Sequence, residues 1–313
     1  MRFESSAPKG TMTSTALTPP PCHGCGGASA HLVTTKDFNR KTTEVSFEYF
    51  QCHSCRLVFM DPIPDDMRPF YEGGYQEIPA SLAELRAIAA DNLYRIDPLL
   101  RYKSSGKLLE IGPWIGAFSC NAKDAGFDVT AIEIDQNCVN FLNGCVGIRA
   151  LQSSNPASTL AELQESFDAI ALGHCLEHLP EPWLVIQRAA ERLAPGGILL
   201  ITIPNIKSNE FAFLGAAWRH LDAPRHIYFY PPDSLRQLAR SCGLEEVELT
   251  TTDRLSLLLS REAWHYWAVS RFRLKYLRGA IGRLGFLISR RKALRDNSGS
   301  GITAVFRRPV SRG

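Results

Sequence analysis

"LLEIGPWIGAF", residues 108–118, is the stretch on which the fold turns. Leu108, Leu109 and Ile111 make a short apolar run of strand type, and Gly112 and Gly116 then bracket Pro113 and Trp114. Glycine is required where the backbone takes positive φ or approaches another group closely. A buried strand leaving through such a turn into a helix is the ligand-binding junction of a doubly wound sheet. The turn meets an acidic-x-Gly-x-Gly-x-Gly pattern at Glu110, Gly112 and Gly116, while Trp114 stands at the middle glycine. Alone this is a weak signal, because any strand-turn-helix junction uses glycine for packing.

Outward from that turn the chain alternates strand and helix patterns, as a parallel sheet covered by helices requires. After "KLLEIG" the strands are expected at 127–134, 147–151, 167–173, 197–204 and 244–252, with a last one at 301–309. The clearest helix is expected at 181–194, with Trp183, Ile186, Ala190 and Leu193 on one face and "APGG" ending it. Residues 81–103 suit one or two helices and 231–243 another. Glu133 ends the second strand some twenty residues after the turn. Carboxylates at that position accept both hydroxyls of a ribose in dinucleotide folds, and Asp135 is the second candidate.

The segments "LLEIGPWIGAF", "VTAIEID", "FDAIALGHCLEHLPEP", "ERLAPGGILLITIPN" and "YPPDSLRQLARSCGL" follow one another as in a known family. The core from about 107 to 252 resembles the class I S-adenosylmethionine-dependent methyltransferases. That resemblance implies a Rossmann-like, mostly parallel seven-stranded sheet with its last strand inserted antiparallel. It also implies that Glu110, Gly112 and Gly116 border the methionine part of the cofactor, Glu133 its ribose and Gln152 or Ser153 its adenine. Trp114 is then expected to pack over the cofactor.

In such a fold the loop "GHCLEHLPEP" faces the transferred methyl group, and it offers His174, Glu177 and His178. His174 is counted with the cofactor contacts. An imidazole titrates near ~6.5, so His178 is the natural general base and Glu177 its orienting partner. The competing reading makes "EHL" a cap for the following helix. In metal-assisted ubiquinone-type O-methyltransferases a like glutamate can help hold a divalent ion, which gives Glu177 a further role to weigh. The stretch "WRHLDAPRHIYFY" (218–230) adds Asp222, Arg225 and His226 in a loop. Arg225 suits a substrate phosphate or carboxylate through its planar fork, or else an internal ion pair with Asp222.

Cys22, Cys25, Cys52 and Cys55 form two Cys-x-x-Cys knuckles, the spacing of a tetrahedral structural zinc site. A redox Cys-x-x-Cys is the minority reading. A small zinc-ribbon-like module is therefore expected over 21–62. A zinc module before such a core, with "FYEGGY" behind it, is similar to the deoxysugar C-methyltransferases. Tyr71 and Tyr75 carry over from that resemblance as substrate contacts. No counterpart of the extra C-terminal domain of those enzymes is expected within these 313 residues, which bears on whether the acceptor is a sugar carbon.

The expected organisation is a disordered tail over 1–20, the zinc module over 21–62, covering helices over 63–106 and the methyltransferase domain over 107–313. A basic insertion, 255–296, interrupts that domain. Between Arg254 and Gly313 fourteen Lys or Arg face only Glu262 and Asp296. On a helix, residues 261–295 suit a lid on the core, a membrane-surface segment using Trp264, Trp267, Phe272, Leu274 and Leu277, or an RNA contact. No span approaches the about 20 apolar residues of a membrane helix, and the N-terminus lacks a signal's apolar centre. A cytoplasmic protein, peripheral to a membrane at most, is expected. The activity expected is methylation, at carbon or oxygen, of a small-molecule or glycan intermediate. The rivals are an RNA base methyltransferase, with nucleic acid the disfavoured partner, and a cofactor-binding scaffold without turnover.

Overall fold

The computed structural model describes residues 19–71, 77–272 and 275–310. Most of the expected tail, Tyr75 and Leu274 lie outside them. The first strands are β1 Ser29–Lys36, β2 Ser46–Cys52 and β3 Val58–Met60. Helices α1 Leu82–Asp91 and α2 Asp97–Leu100 lead into β4 Gly106–Ile111, α3 Ala117–Asp124, β5 Phe127–Glu133 and α4 Gln136–Phe141. Then come β6 Arg149–Gln152, α5 Pro156–Glu162, β7 Phe167–Gly173, α6 Pro182–Arg192, β8 Leu193–Pro204 and α7 Asn209–Leu214. The chain closes with β9 Tyr228–Phe229, α8 Pro232–Ser241, β10 Glu245–Thr250, α9 Arg254–Arg271, α10 Lys275–Asp296 and β11 Gly301–Arg307.

The large sheet has the order β10-β11-β8-β7-β4-β5-β6. β4, β5, β6, β7 and β8 pair parallel, and β11 runs antiparallel between β8 and β10, as expected of the last strand. Strand order reverses beside β4, so the exits of β4 and β7 frame the natural crevice. Helices cover both faces. Val185, Ile186, Ala189 and Ala190 of α6 are buried, and each fully buried Val or Ile side chain contributes about 1.5–3 kcal/mol. β8 starts four residues earlier than expected because "APGG" continues it: Leu193 already pairs with Phe167.

The N-terminal module is not a free-standing ribbon. Its strands form a second sheet, β1-β2-β3-β9, whose last strand comes from the 218–230 loop. Phe59 pairs with Tyr228 and Val58 with Phe229. His23 sits inside a knuckle, yet it bridges Asp61 at 2.8 Å and the Tyr228 hydroxyl at 3.1 Å instead of facing solvent alone. The basic insertion folds as the pair α9 and α10. Among the described residues no helix is long and apolar enough to cross a membrane.

Candidate active site

The turn after β4 holds three residues at positive φ: Gly112 at 71°, Trp114 at 53° and Gly116 at 82°. A Cβ on Gly112 would lie 2.6 Å from Sγ of Cys175, and one on Gly116 would collide with Leu142. Both glycines are thus demanded by packing as well as by backbone shape. Trp114 adopts the same left-handed conformation with a full side chain, at a cost of roughly 1–2 kcal/mol. Its amide donates to Oε2 of Glu133 at 2.9 Å, and the amides of Ile134 and Asp135 donate to Oε1 at 2.8 and 3.0 Å. Glu133 therefore clamps the two strand exits together. A carboxylate has about four acceptor sites, so one remains for a ligand hydroxyl.

A cavity of about 700 Å³ opens at the carboxyl ends of β4, β7 and β8. Glu110, Gly112 and Trp114 form one wall, His174, His178 and His226 another, and Leu255, Leu258 and Leu259 of α9 the roof. The insertion is thus a lid along its first helix. Gly116, Glu133, Asp135 and Gln152 stand outside the described wall. Asp135 caps α4 through the amides of Asn137 and Cys138, and Gln152 donates to the Ile134 carbonyl at 3.1 Å.

Glu110 is buried beneath this wall and accepts from the Ser119 hydroxyl. Burial pushes its carboxyl up to about 7, against the pull of that hydrogen bond. From an ordinary value of 4.5, the unfolded chain ionises this group at a pH where the folded chain does not, so stability falls as pH rises through that window. The loss above neutrality is roughly 3 kcal/mol. Glu110→Gln should therefore unfold at higher urea than the parent at about pH 8 and at the same urea near pH 4. Identical midpoints at both would refute the assignment.

"LEH" forms a short turn of its own, Leu176–His178, and α6 starts at Pro182 with Glu181 at its N-cap position. The tripeptide does not cap the helix. Nδ1 of His178 lies 2.9 Å from the Arg225 carbonyl, which can only accept, so Nδ1 carries the proton and Nε2 holds the lone pair. The same logic applies to His226, whose Nδ1 lies 2.9 Å from the His220 carbonyl. Burial pushes the His178 imidazole down to about 4, and the neighbouring His226 acts in the same sense. The imidazole is neutral at pH 7. Glu177 is 1% exposed. Burial favours its protonated form, yet the hydrogen bond from His174 and the His226, His174 and His178 rings hold it down to about 2. His174 reaches Oε1 of Glu177 at 3.3 Å, while Oε2 has no hydrogen-bond partner among the described residues. The ligand atoms of Glu177, His178 and His226 all lie within 4.8 Å of one another.

Arg225 and Asp222 are not placed as expected for substrate contacts. The Arg225 guanidinium is 0% exposed and pairs with Asp222 at 2.8 Å and with Asp37 of β1's end at 2.8 Å, and it also donates to the Phe70 carbonyl at 3.3 Å. Two carboxylates compensate the cost of burying its charge. Asp222 also accepts from Asn39. The sequence reading missed Asp37 and Asn39, since no local spacing links residues so far apart. Tyr71 follows Phe70, and its hydroxyl lies 3.2 Å from Nδ1 of His178.

The four module cysteines come together. Sγ of Cys22 and Cys55 lie 3.6 Å apart, those of Cys25 and Cys52 3.5 Å, and all four within 4.8 Å. Thiolates at about 2.3 Å from one zinc stand at nearly these separations.

The methyltransferase domain family profile matches residues 82–249. This chain belongs to that family. Among curated proteins, the ubiquinone biosynthesis O-methyltransferase of Bordetella avium is 31% identical over 171 residues, 51% of this chain and 71% of that protein. The enzyme of the same name from Nitrosospira multiformis is 30% identical over 178 residues, 50% of this chain and 73% of that one. A solved SAM-dependent methyltransferase from Archaeoglobus fulgidus aligns with TM-score 0.49 and 15% identity, over 70% of this chain and 94% of its own. The chain is an S-adenosylmethionine-dependent methyltransferase with a Rossmann-like sheet. That membership, and not the turn that holds Trp114, removes the scaffold reading as an account of this methyltransferase.

Proposed function

We propose that this methyltransferase methylates a small-molecule biosynthetic intermediate, at a hydroxyl or an acidic carbon, with His178 as general base. The observation that carries the reading is the Nε2 lone pair of a neutral, carbonyl-anchored His178 on the wall opposite the glycine turn. S-adenosylmethionine, when bound, supplies an electrophilic methyl group on a sulfonium. Gly112 and Trp114 border its methionine portion, Glu110 suits its ammonium, and Glu133 offers its last acceptor site to a ribose hydroxyl. The residues fit that ligand because a cavity of about 700 Å³ carries on its wall the buried carboxyl of Glu110, which accepts from the Ser119 hydroxyl and feels the Arg95 charge but forms no salt bridge among the described residues. His178 takes the acceptor's proton through Nε2, and Glu177, ionised beside it, stabilises the imidazolium so formed. The α9 leucines exclude water.

The relatives named for ubiquinone biosynthesis support a hydroxyl acceptor. The Cys-rich module's resemblance supports a sugar or glycan intermediate. We assign structural zinc to Cys22, Cys25, Cys52 and Cys55. A second reading rests on the unpartnered Oε2 of Glu177: Glu177, His178 and His226 would hold a divalent ion that acidifies an acceptor hydroxyl.

Purified protein with labelled methyl donor is incubated with sugar-nucleotide, phenolic and RNA pools, and the products are weighed. One added methylene's mass is expected in a small-molecule pool. Label in RNA alone would overturn the assignment. Activity that disappears with a chelator and returns with magnesium or manganese would select the metal reading over the free base.

A further inference from the structure

We infer that the outer face of α10 docks on an anionic lipid surface. The inner face of this helix is consumed by α9. A Cβ on Gly285 would collide with the Trp264 indole, Ser289 accepts from Trp264 Nε1 at 2.8 Å, and Ala293 is buried on the same side. This takes Trp264 out of the membrane-surface alternative, because its indole is spent holding the pair together. The outer face carries a different apolar set. Leu284 is 60% exposed, Leu287 50%, Ile288 59% and Leu294 55%. At 100° per residue these four fall on one arc of the helix. Arg283 and Arg290 border one edge of that arc and Lys292 the other, with Arg291 and Arg295 inside it.

An apolar stripe edged by cations on both sides is the surface an interfacial helix presents to headgroups and the acyl boundary. Long arginines cover apolar surface with their stems while their heads reach phosphate. Charge decides between occupants. A second copy would bring the same cations face to face, and RNA phosphates give four exposed aliphatic side chains nothing to bury against. Anionic lipid satisfies both parts, with each nearby cation adding to binding. Since α9 roofs the cavity and α10 lies on α9, docking would place the cavity's lid against the bilayer, where amphipathic acceptors are concentrated.

The test is flotation of the full chain with vesicles of phosphatidylcholine alone and of phosphatidylcholine with phosphatidylglycerol. The readout is independent of any assignment of base or acceptor. We expect flotation with the anionic vesicles, at least about tenfold above the neutral ones and weakened by salt. The variant Leu284→Glu, Leu287→Glu, Ile288→Glu should stay behind while keeping the parent's circular dichroism and melting temperature. A second variant, Arg290→Gln, Arg291→Gln, Lys292→Gln, should float less and with a shallower salt dependence. Failure of the parent to float, equal flotation of the triple glutamate variant, a parent dimer that this variant dissolves, or RNA binding that it abolishes would each overturn the proposal.

Discussion

His178→Asn is expected to lower turnover by about 10²–10⁴-fold while leaving cofactor affinity near the parent value. Asparagine is the informative substitution because its amide can still donate to the Arg225 carbonyl, the bond now made by Nδ1 of His178 at 2.9 Å. What it removes is the Nε2 lone pair. His178→Ala would lose that anchor as well and leave a buried carbonyl unsatisfied, at about 1–3 kcal/mol, so a rate loss there would mix two causes. Single-turnover methyl transfer with the accepted substrate measures the first effect, and calorimetric titration of the cofactor measures the second. A rate within a few-fold of the parent would remove His178 from the mechanism. A matched loss of cofactor affinity would make it a binding residue.

The second large effect concerns a residue outside the cavity. Asp37→Ala should destabilise the fold by about 3–5 kcal/mol, because the buried Arg225 keeps only Asp222 as a counter-charge and the Arg40 and Thr42 amides lose their acceptor. Asp37 and the Arg225 guanidinium are both fully buried, 2.8 Å apart. Although burial pushes the Asp37 carboxyl up, the Arg225 guanidinium, Thr42 and the Arg40 amide pull it well below the usual carboxylate range. Urea unfolding measures the loss, and a change under about 1 kcal/mol would contradict the pairing. Asp37→Asn keeps the shape and part of the hydrogen bonding, so its loss should be smaller. Because the Arg225 carbonyl also sets the tautomer of His178, this ion pair ties the N-terminal module to the placement of the proposed base.

Much of the fold was legible because its signals are local. Alternation in "FDVTAIE", the apolar face of 182–192 and the glycines around Trp114 each depend on residues within one or two turns of chain. The number of strands in the large sheet and the antiparallel insertion of the last one followed from the family resemblance, while their order came from the structure. The four cysteines announced their meeting by two identical spacings. The candidate site was half legible. Glu110, Gly112, Trp114, His174 and His178 could be named from the strand exits, and the structure brings them to one cavity. Arg225 was left with two readings, and the structure selects the internal ion pair with Asp222, since an arginine in a loop looks the same in sequence whether it faces a ligand or a buried carboxylate. Nothing near Asp37 or Phe70 points to residue 225.

Sequence alone, then, determined which segments become strands and helices, which turn carries the glycines beside the cavity and which cysteines converge, because period and spacing act over short distances along the chain. Tertiary structure decided that β9 would complete the N-terminal sheet, that Arg225 would be a buried tie and not a hand for substrate, and that α9 would roof the cavity. Those outcomes depend on where charge and apolar surface find partners in space, and burial of an unpaired ion or an open strand edge costs more than local preference can offset.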